Sequence, residues 1–230
     1  MMQKTKSEKR VRMTQGERSA ATRKLLLDAS VKCLFQHGYG QTTTILIAEM
    51  AGISRGALLH QFPSKADLMA YVVEAVFEED VTMYRELLRN VTDPDERLVA
   101  YAMAAWKVQS RPPGVAVLEI LQGSRSDAVL AEKLKPVEAR IEEAAKATLR
   151  QEMHRNVSPP LFRLMAGVIR GLSIQQVIAP EGEDVTEAIK LLQRLLRAGI
   201  QTGVIGSKQK AASRPLNKAA KKKKAVAESA

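Results

Sequence analysis

One spacing of small and apolar residues restricts the fold of this chain more than any other feature of its sequence. Two short helices that cross closely need a small residue at the crossing, which Ala48 supplies, and a residue tolerant of positive φ four positions later, which Gly52 supplies. Apolar side chains must then fix the pair on a third helix, and Ile47, Ile53 and Leu58 have the required spacing. We therefore predict a helix-turn-helix here, in preference to an ordinary helical hairpin inside a core.

Polar residues indicate where these helices begin. Thr43 or Thr44 can cap the first short helix, and Ser54 can cap the second. Ser64 and Asp67 have the spacing of a capping box, so a long helix is expected to start there.

The remainder of the chain also has helical periodicity. Glycine and proline number only 13 and 9 among 230 residues. A helix is predicted over residues 21–37, stopped by Gly38, and five or more helices follow the long one. A loop is expected at 111–114, and a kink or early break at Pro136. The predicted fold class is all-α, with a mostly aliphatic core.

The formal net charge of +11 is concentrated at the two ends of the chain. Residues 1–66 carry +7, residues 67–203 carry −3, and residues 204–230 carry +7. Such basic ends indicate a phosphate-bearing or anionic-membrane partner, whereas evenly spread charge would only indicate a solvated surface.

Several classes of function are disfavoured by what the sequence contains. Cys33 is the single cysteine, so no internal disulfide can form and a reducing cytoplasmic compartment is expected. The basic N-terminus has no apolar stretch typical of a signal peptide, and no apolar run long enough to span a membrane is evident. His37, His60 and His154 have neither triad nor metal-ligand spacing, so we predict no enzyme, no metal and no cofactor.

In a helix-turn-helix that binds DNA, the second helix lies in the major groove with its N-terminal residues toward base edges. Lys65 falls in the first turn of the next helix, where free N–H groups already favour a phosphate. The residues that we expect to face DNA on this ground are Ser54, Arg55, Gly56, Ala57, His60 and Lys65.

The segment "TRKLLLDASVKCLFQHGYGQTTTILIAEMAGISRGALLHQFPSKADL", residues 22–68, resembles the DNA-binding domain of TetR-type transcriptional regulators. The resemblance implies an N-terminal three-helix DNA-binding domain, joined by a long helix to a larger helical domain for ligand binding and dimerisation. The predicted segments are a flexible basic arm, the helix-turn-helix domain, the ligand-binding and dimerisation domain and a disordered lysine-rich tail, at residues 1–18, 19–66, 67–205 and 206–230.

The resemblance also implies roles for individual residues. Thr43, Thr44 and Lys65 would contact phosphate, and His60 and Gln61 would contact bases or backbone. Base contacts would come from Arg55, Gly56 and Ala57. One position departs from the family, which usually has a phosphate-contacting tyrosine where this chain has Leu59. Leucine cannot donate that hydrogen bond, which leaves Leu59 to packing or to a thymine methyl.

Two aliphatic stripes near the C-terminus fit the family's four-helix dimer interface. They comprise Leu164, Val168, Leu172 and Gln175, then Ile189, Leu192, Leu195, Leu196 and Gly199. A homodimer is therefore expected, although the same stripes would also suit an intramolecular core.

An effector pocket is expected between the middle helices, where an aromatic wall and aliphatic lining would take a small apolar molecule. The candidate residues are Tyr101, Met103, Trp106, Leu118, Leu121, Gln122, Arg125 and Phe162. Plain core packing is the alternative for each of them.

Together these features predict a cytoplasmic, sequence-specific DNA-binding transcriptional regulator, a homodimeric repressor on a palindromic double-stranded operator. A small apolar effector would release it, and no membrane partner is expected. One alternative is an architectural DNA-binding protein that uses the lysine-rich tail for non-specific binding. Another is a peripheral membrane protein with that tail on anionic lipid.

Overall fold

A computed structural model describes residues 14–153, 157–178 and 185–206. Across these ranges the chain forms helices without any strand, which confirms the predicted all-α fold class. The helices are α1 (Gln15–Gln41), α2 (Thr44–Met50), α3 (Arg55–Gln61), α4 (Lys65–Leu88), α5 (Pro94–Gln109), α6 (Pro112–Gly123), α7 (Ala128–Met153), α8 (Pro159–Ile178) and α9 (Thr186–Gln201). Residues 1–13 of the predicted arm and 207–230 of the predicted tail lie outside the described residues.

The first helix begins earlier than its apolar pattern predicts. A capping box at Thr14 and Glu17 starts α1, so the stretch from Gln15 to residue 18 is helical and not part of a flexible arm. The Thr14 hydroxyl accepts from the Glu17 N–H at 3.2 Å, and the Glu17 carboxylate accepts from the Thr14 N–H at 2.7 Å. Polar caps of this kind extend a helix beyond its buried stripe, and this one was not recognised in the sequence.

Gly38 interrupts α1, as predicted. Its φ of 70° and ψ of 174° lie outside the helical region, and the chain then resumes a short turn to Gln41. The break redirects Tyr39 away from the axis of the main helix, toward α6 and α7.

The two prolines of "RPPG" are helical, which corrects the predicted loop at 111–114. Pro112 and Pro113 occupy the first positions of α6, where a missing N–H costs no hydrogen bond. The expected early break at Pro136 is also absent, because α7 continues through it from Ala128 to Met153.

The largest buried cluster crosses the predicted domain boundary at residue 66. Its N-terminal part comes from α1, α2, α3 and α4 and includes Leu26, Ile47 and Leu58. The same cluster continues into α6 and α7 through Ile120 and Leu134. The three-helix unit is therefore packed as one body with part of the C-terminal helices.

The second region of the core joins α5 to α8 and α9. Met165 and Leu196 pack on Leu98, whereas Ile169 and Ile189 pack near Trp106. The α9 side chain of Gln193 also donates to the Val99 carbonyl at 3.1 Å.

Candidate nucleic-acid interface

The turn between α2 and α3 has the geometry that its sequence predicts. Gly52 has a φ of 67°, a left-handed conformation that favours glycine. The Ile53 N–H then donates to the Ala48 carbonyl at 3.0 Å, which closes the turn over the small alanine. Because Ile47, Ala48 and Leu58 are buried, α2 and α3 are locked on the core behind them.

Three hydroxyl caps fix the starts of the helices around this turn. The Thr43 hydroxyl accepts from the Leu46 N–H at 3.1 Å, and the Ser54 hydroxyl accepts from the Ala57 N–H at 3.1 Å. Ser64 caps α4 in the same way. Helices as short as α2 and α3 are unstable alone, so these caps and the buried face together hold them in place.

The exposed face of α3 carries four of the nine residues expected to contact DNA. With Leu58 pointing inward, helical geometry places Gly56 and His60 at the centre of the opposite face. Ala57 flanks them on one side, and Leu59 followed by Arg55 lies on the other. The predicted contact residues that are exposed are Thr43, Ser54, Arg55, Gly56, Ala57 and His60.

The other three predicted contact residues are partly buried. Thr44 is the first residue of α2. Gln61 is held from behind, since its Oε1 accepts from the Ser19 hydroxyl of α1 at 3.0 Å. Lys65 Nζ donates to the Tyr39 carbonyl at 2.8 Å and lies 3.7 Å from the centre of the Tyr39 ring.

The environment of Lys65 was not foreseen from the sequence. Its burial lowers the pKa of the ammonium group, while the nearby Asp127 carboxylate acts in the opposite direction. The Tyr39 carbonyl accepts from one of the three N–H donors of Lys65, and the other two could bind a phosphate. The phosphate contact of Lys65 stays a prediction.

An aromatic pair with a guanidinium above it supports the end of α3. The rings of Phe62 and Tyr71 lie 4.9 Å apart, and the Arg23 guanidinium lies about the same distance from each, 4.9 and 5.1 Å. Arg23 belongs to α1 and is exposed, so its guanidinium lies at the protein surface beside the end of α3. Sequence reasoning missed it because its partners are separated from it by 39 and 48 residues.

Tyr39 connects this domain to the C-terminal helices. Its hydroxyl donates to Asp127 Oδ2 at 2.6 Å and its N–H donates to Glu119 Oε2 at 3.0 Å. Burial first, and then the Asp127 carboxylate, raise the pKa of the Tyr39 phenol, and the same hydrogen bond lowers the pKa of Asp127. A Cβ added at Gly123 would lie 2.3 Å from the Tyr39 ring, so the two helices meet at contact distance there.

The eight predicted pocket residues are not brought together. Tyr101, Met103 and Trp106 lie with the α8 and α9 core, whereas Leu121 packs against the N-terminal cluster. The remaining four are Leu118, Gln122, Arg125 and Phe162, of which Gln122 and Arg125 are exposed. Residues on α5 and α6 that looked equivalent in sequence therefore face different parts of the core.

A polar cluster that the sequence did not indicate lies beside the α5 residues. The Arg111 guanidinium donates to Asp80 Oδ1 at 2.7 Å, and Gln109 Nε2 donates to the Tyr84 hydroxyl at 3.3 Å. The rings of Tyr84 and Tyr101 stack with centres 5.5 Å apart. Burial raises the pKa of Asp80 to about 7 despite the opposing charge of Arg111.

The C-terminal stripes divide between core and surface. Ile189 and Leu196 are buried within the chain against α5, so that part of the α9 stripe is intramolecular, as the alternative interpretation held. Several other apolar residues of α8 and α9 remain exposed, namely Leu164, Ile174, Val177, Ile178, Leu191 and Leu195. By length and composition alone α8 would also pass for a membrane-crossing helix, contrary to the expectation from sequence, although it carries Arg163 and Arg170.

Comparison with known proteins gives consistent matches. The family described as "Bacterial regulatory proteins, tetR family" matches residues 26–72. An uncharacterized HTH-type transcriptional regulator of Mycobacterium bovis is 27% identical over 192 residues, which are 81% of this chain and 98% of that protein. The HTH-type transcriptional repressor AcnR of Corynebacterium glutamicum is 29% identical over 36% of this chain and 46% of its own length.

Solved structures share the fold. The crystal structure of a TetR family transcription regulator from Marinobacter aquaeolei aligns with a TM-score of 0.60 at 21% identity, over 79% of this chain and 96% of that one. The similarity therefore extends beyond α1–α4 into the C-terminal helices.

Proposed function

We propose that this chain, a TetR-type DNA-binding transcriptional regulator, is a cytoplasmic repressor that binds a palindromic operator as a homodimer. The observation that carries the proposal is the exposed face of α3, which presents Arg55, Gly56 and His60 from a helix locked behind by buried Leu58. A rigid helix with a cation at its N-terminus and small residues beside it suits close approach to base edges in the major groove.

The side chains around α3 have separate roles in this proposal. Arg55 reads a guanine, Gly56 and Ala57 allow the backbone to approach, and His60 and Gln61 contact bases or phosphate. Thr43, Thr44, Ser54 and Lys65 lie at helix starts and contact phosphate or the adjoining bases.

The homodimer is supported by the exposed apolar side chains of α8 and α9. Leu164 and Leu195 are 62% and 61% exposed and are accompanied by Ile174, Val177, Ile178 and Leu191, and grouped exposed apolar residues mark interaction sites. A two-fold axis through these helices would present two copies of α3, as operators with half-sites about 34–36 Å apart require.

Release by a small apolar effector completes the proposal. It is supported by the aromatic side chains on α5, where Trp106 and Tyr101 lie against α8 and the polar groups of Tyr84 and Gln109 lie beside them. A ligand that parts α5 from α8 would have both an apolar body and a polar anchor to contact. Trp106 is the single tryptophan, so its fluorescence should report such binding in a screen of small apolar compounds.

Selection from random duplexes with the full-length protein, followed by footprinting, tests DNA recognition. We expect enrichment of a two-fold related motif and a short protected region. Arg55→Ala should cost about 1–3 kcal/mol of binding and relax one position in each half-site. The matched control is Arg89→Ala, at the far end of α4, which should bind like the parent protein.

Other outcomes would favour different functions. Equal loss of affinity for all sequences would reassign Arg55 from a base to a phosphate. Uniform protection without an enriched motif would indicate an architectural DNA-binding protein instead of a repressor. Co-sedimentation with anionic vesicles in the absence of DNA binding would indicate a peripheral membrane protein.

A further inference from the structure

The exposed face of α3 carries one large apolar side chain, Leu59, that the core does not bury. Leu59 is 38% exposed, whereas its neighbour Leu58 is 0% exposed and fixes the helix to the core. Among the described residues of α3, the other exposed side chains are polar or small.

Helical geometry places Leu59 within the surface expected to face DNA. It follows Arg55 by four residues and Gly56 by three, so all three lie along one side of α3. Gly56 has no side chain to hold the helix away from a duplex, which lets a neighbouring leucine reach a base edge.

The chemistry of the major groove limits what Leu59 can contact favourably there. Its side chain neither donates nor accepts a hydrogen bond, so it cannot read the N7, O6, N6 or N4 positions of bases. The thymine 5-methyl is the apolar group that an unmodified base edge presents in that groove.

We propose that Leu59 determines sequence specificity by packing on the 5-methyl group of a thymine, next to the base pair contacted by Arg55. This inference rests on the proposed function, because it requires α3 to lie in the major groove. Each half-site would then contain a thymine recognised by an apolar contact, next to a base pair recognised by hydrogen bonds from Arg55.

Removal of single methyl groups tests the contact directly. The motif enriched from random duplexes by the full-length protein is resynthesised with deoxyuridine in place of each thymine in turn. Deoxyuridine pairs like thymidine but lacks the methyl group, so base pairing is preserved. We expect one symmetric position at which the substitution weakens binding about fourfold per half-site, or roughly 16-fold when both half-sites are changed.

Two variants distinguish Leu59 from a general effect on the duplex. Leu59→Ala should bind the thymine and deoxyuridine duplexes equally, because the methyl has lost its partner. Leu25→Ala is the matched control, since Leu25 is 49% exposed but belongs to α1, and it should retain the full methyl effect. Thermal unfolding of both variants checks that each is folded.

Binding that is insensitive to deoxyuridine at every position would overturn the inference while leaving the proposed function intact. A methyl effect that survives in Leu59→Ala would overturn it equally. Failure to enrich any motif would contradict the proposed function and this inference together.

Discussion

The phenol of Tyr39 donates a 2.6 Å hydrogen bond to the carboxylate of Asp127, which joins the end of α1 to the start of α7. The two residues are 88 positions apart, and Asp127 also caps α7 by accepting from the Leu130 N–H at 3.0 Å. One carboxylate thus holds both a helix start and the link between the DNA-binding helices and the rest of the chain.

Tyr39→Phe should therefore lower the free energy of unfolding by about 1 kcal/mol, because it removes a hydrogen bond between partly exposed groups. Denaturant unfolding of Tyr39→Phe, Asp127→Ala and the double variant measures the loss. If the bond is responsible, the double variant should lose less than the sum of the single changes. Additive losses would contradict this coupling.

Leu195→Glu should convert the proposed homodimer to a monomer. The side chain is 61% exposed within the single chain, and burying an unpaired carboxylate in an interface costs about 3 kcal/mol or more, roughly a hundredfold in dimer dissociation. Light scattering at fixed concentration measures the mass, with Leu87→Glu on α4, 40% exposed, as the control. A dimer that persists in Leu195→Glu would place the interface elsewhere.

Asp80 should make the protein less stable as the pH rises from about 4 to about 7. Its pKa in the folded chain is about 7, against an ordinary value of 3.8, so over this window the folded state holds a proton that the unfolded chain has released. Stability should fall by at most about 1.4 kcal/mol per pH unit from this group. Thermal unfolding of Asp80→Asn should show a flatter pH profile, whereas Glu78→Gln, on the same helix, should keep the parent slope. Parallel profiles for parent and Asp80→Asn would contradict the assignment.

Truncation after residue 205 should weaken binding to operator DNA and to random DNA by similar factors. Residues 206–230 hold eight Lys and Arg against one Glu, and each phosphate contact contributes a slope of about −0.9 in log K against log salt. For each phosphate contact that is lost, the drop in affinity between 50 and 200 mM salt should become smaller by a factor of about 3.5. The footprint should keep its position. Identical salt slopes with and without the tail would show that it serves solubility alone.

The helix-turn-helix was predictable because its determinants lie close together in sequence. Ala48, Gly52 and Leu58 act on neighbours within one or two helical turns, and the cap at Ser54 acts over three residues. Local sterics therefore determine the turn, so it can be predicted from the sequence without the tertiary packing.

The parts that sequence reasoning missed depend on distant partners or on the rotation of a helix. The contact of the half-buried Lys65 ammonium with Tyr39, 26 residues away, has no local signal in the sequence. The Asp80–Arg111 pair joins positions 31 residues apart, and no local pattern couples them. Tyr101 and Leu121 of the predicted pocket pack in different clusters for a related reason, since periodicity gives the apolar face of α5 or α6 but not the helix that covers it.

The core that runs from α1 into α6 and α7 has a consequence for protein engineering. A chimera that carries only residues 19–66 onto a related effector domain would leave Tyr39 facing foreign residues in place of Glu119, Gly123 and Asp127. A graft of new DNA specificity should thus either replace α3 alone or transplant these three partners together with residues 19–66.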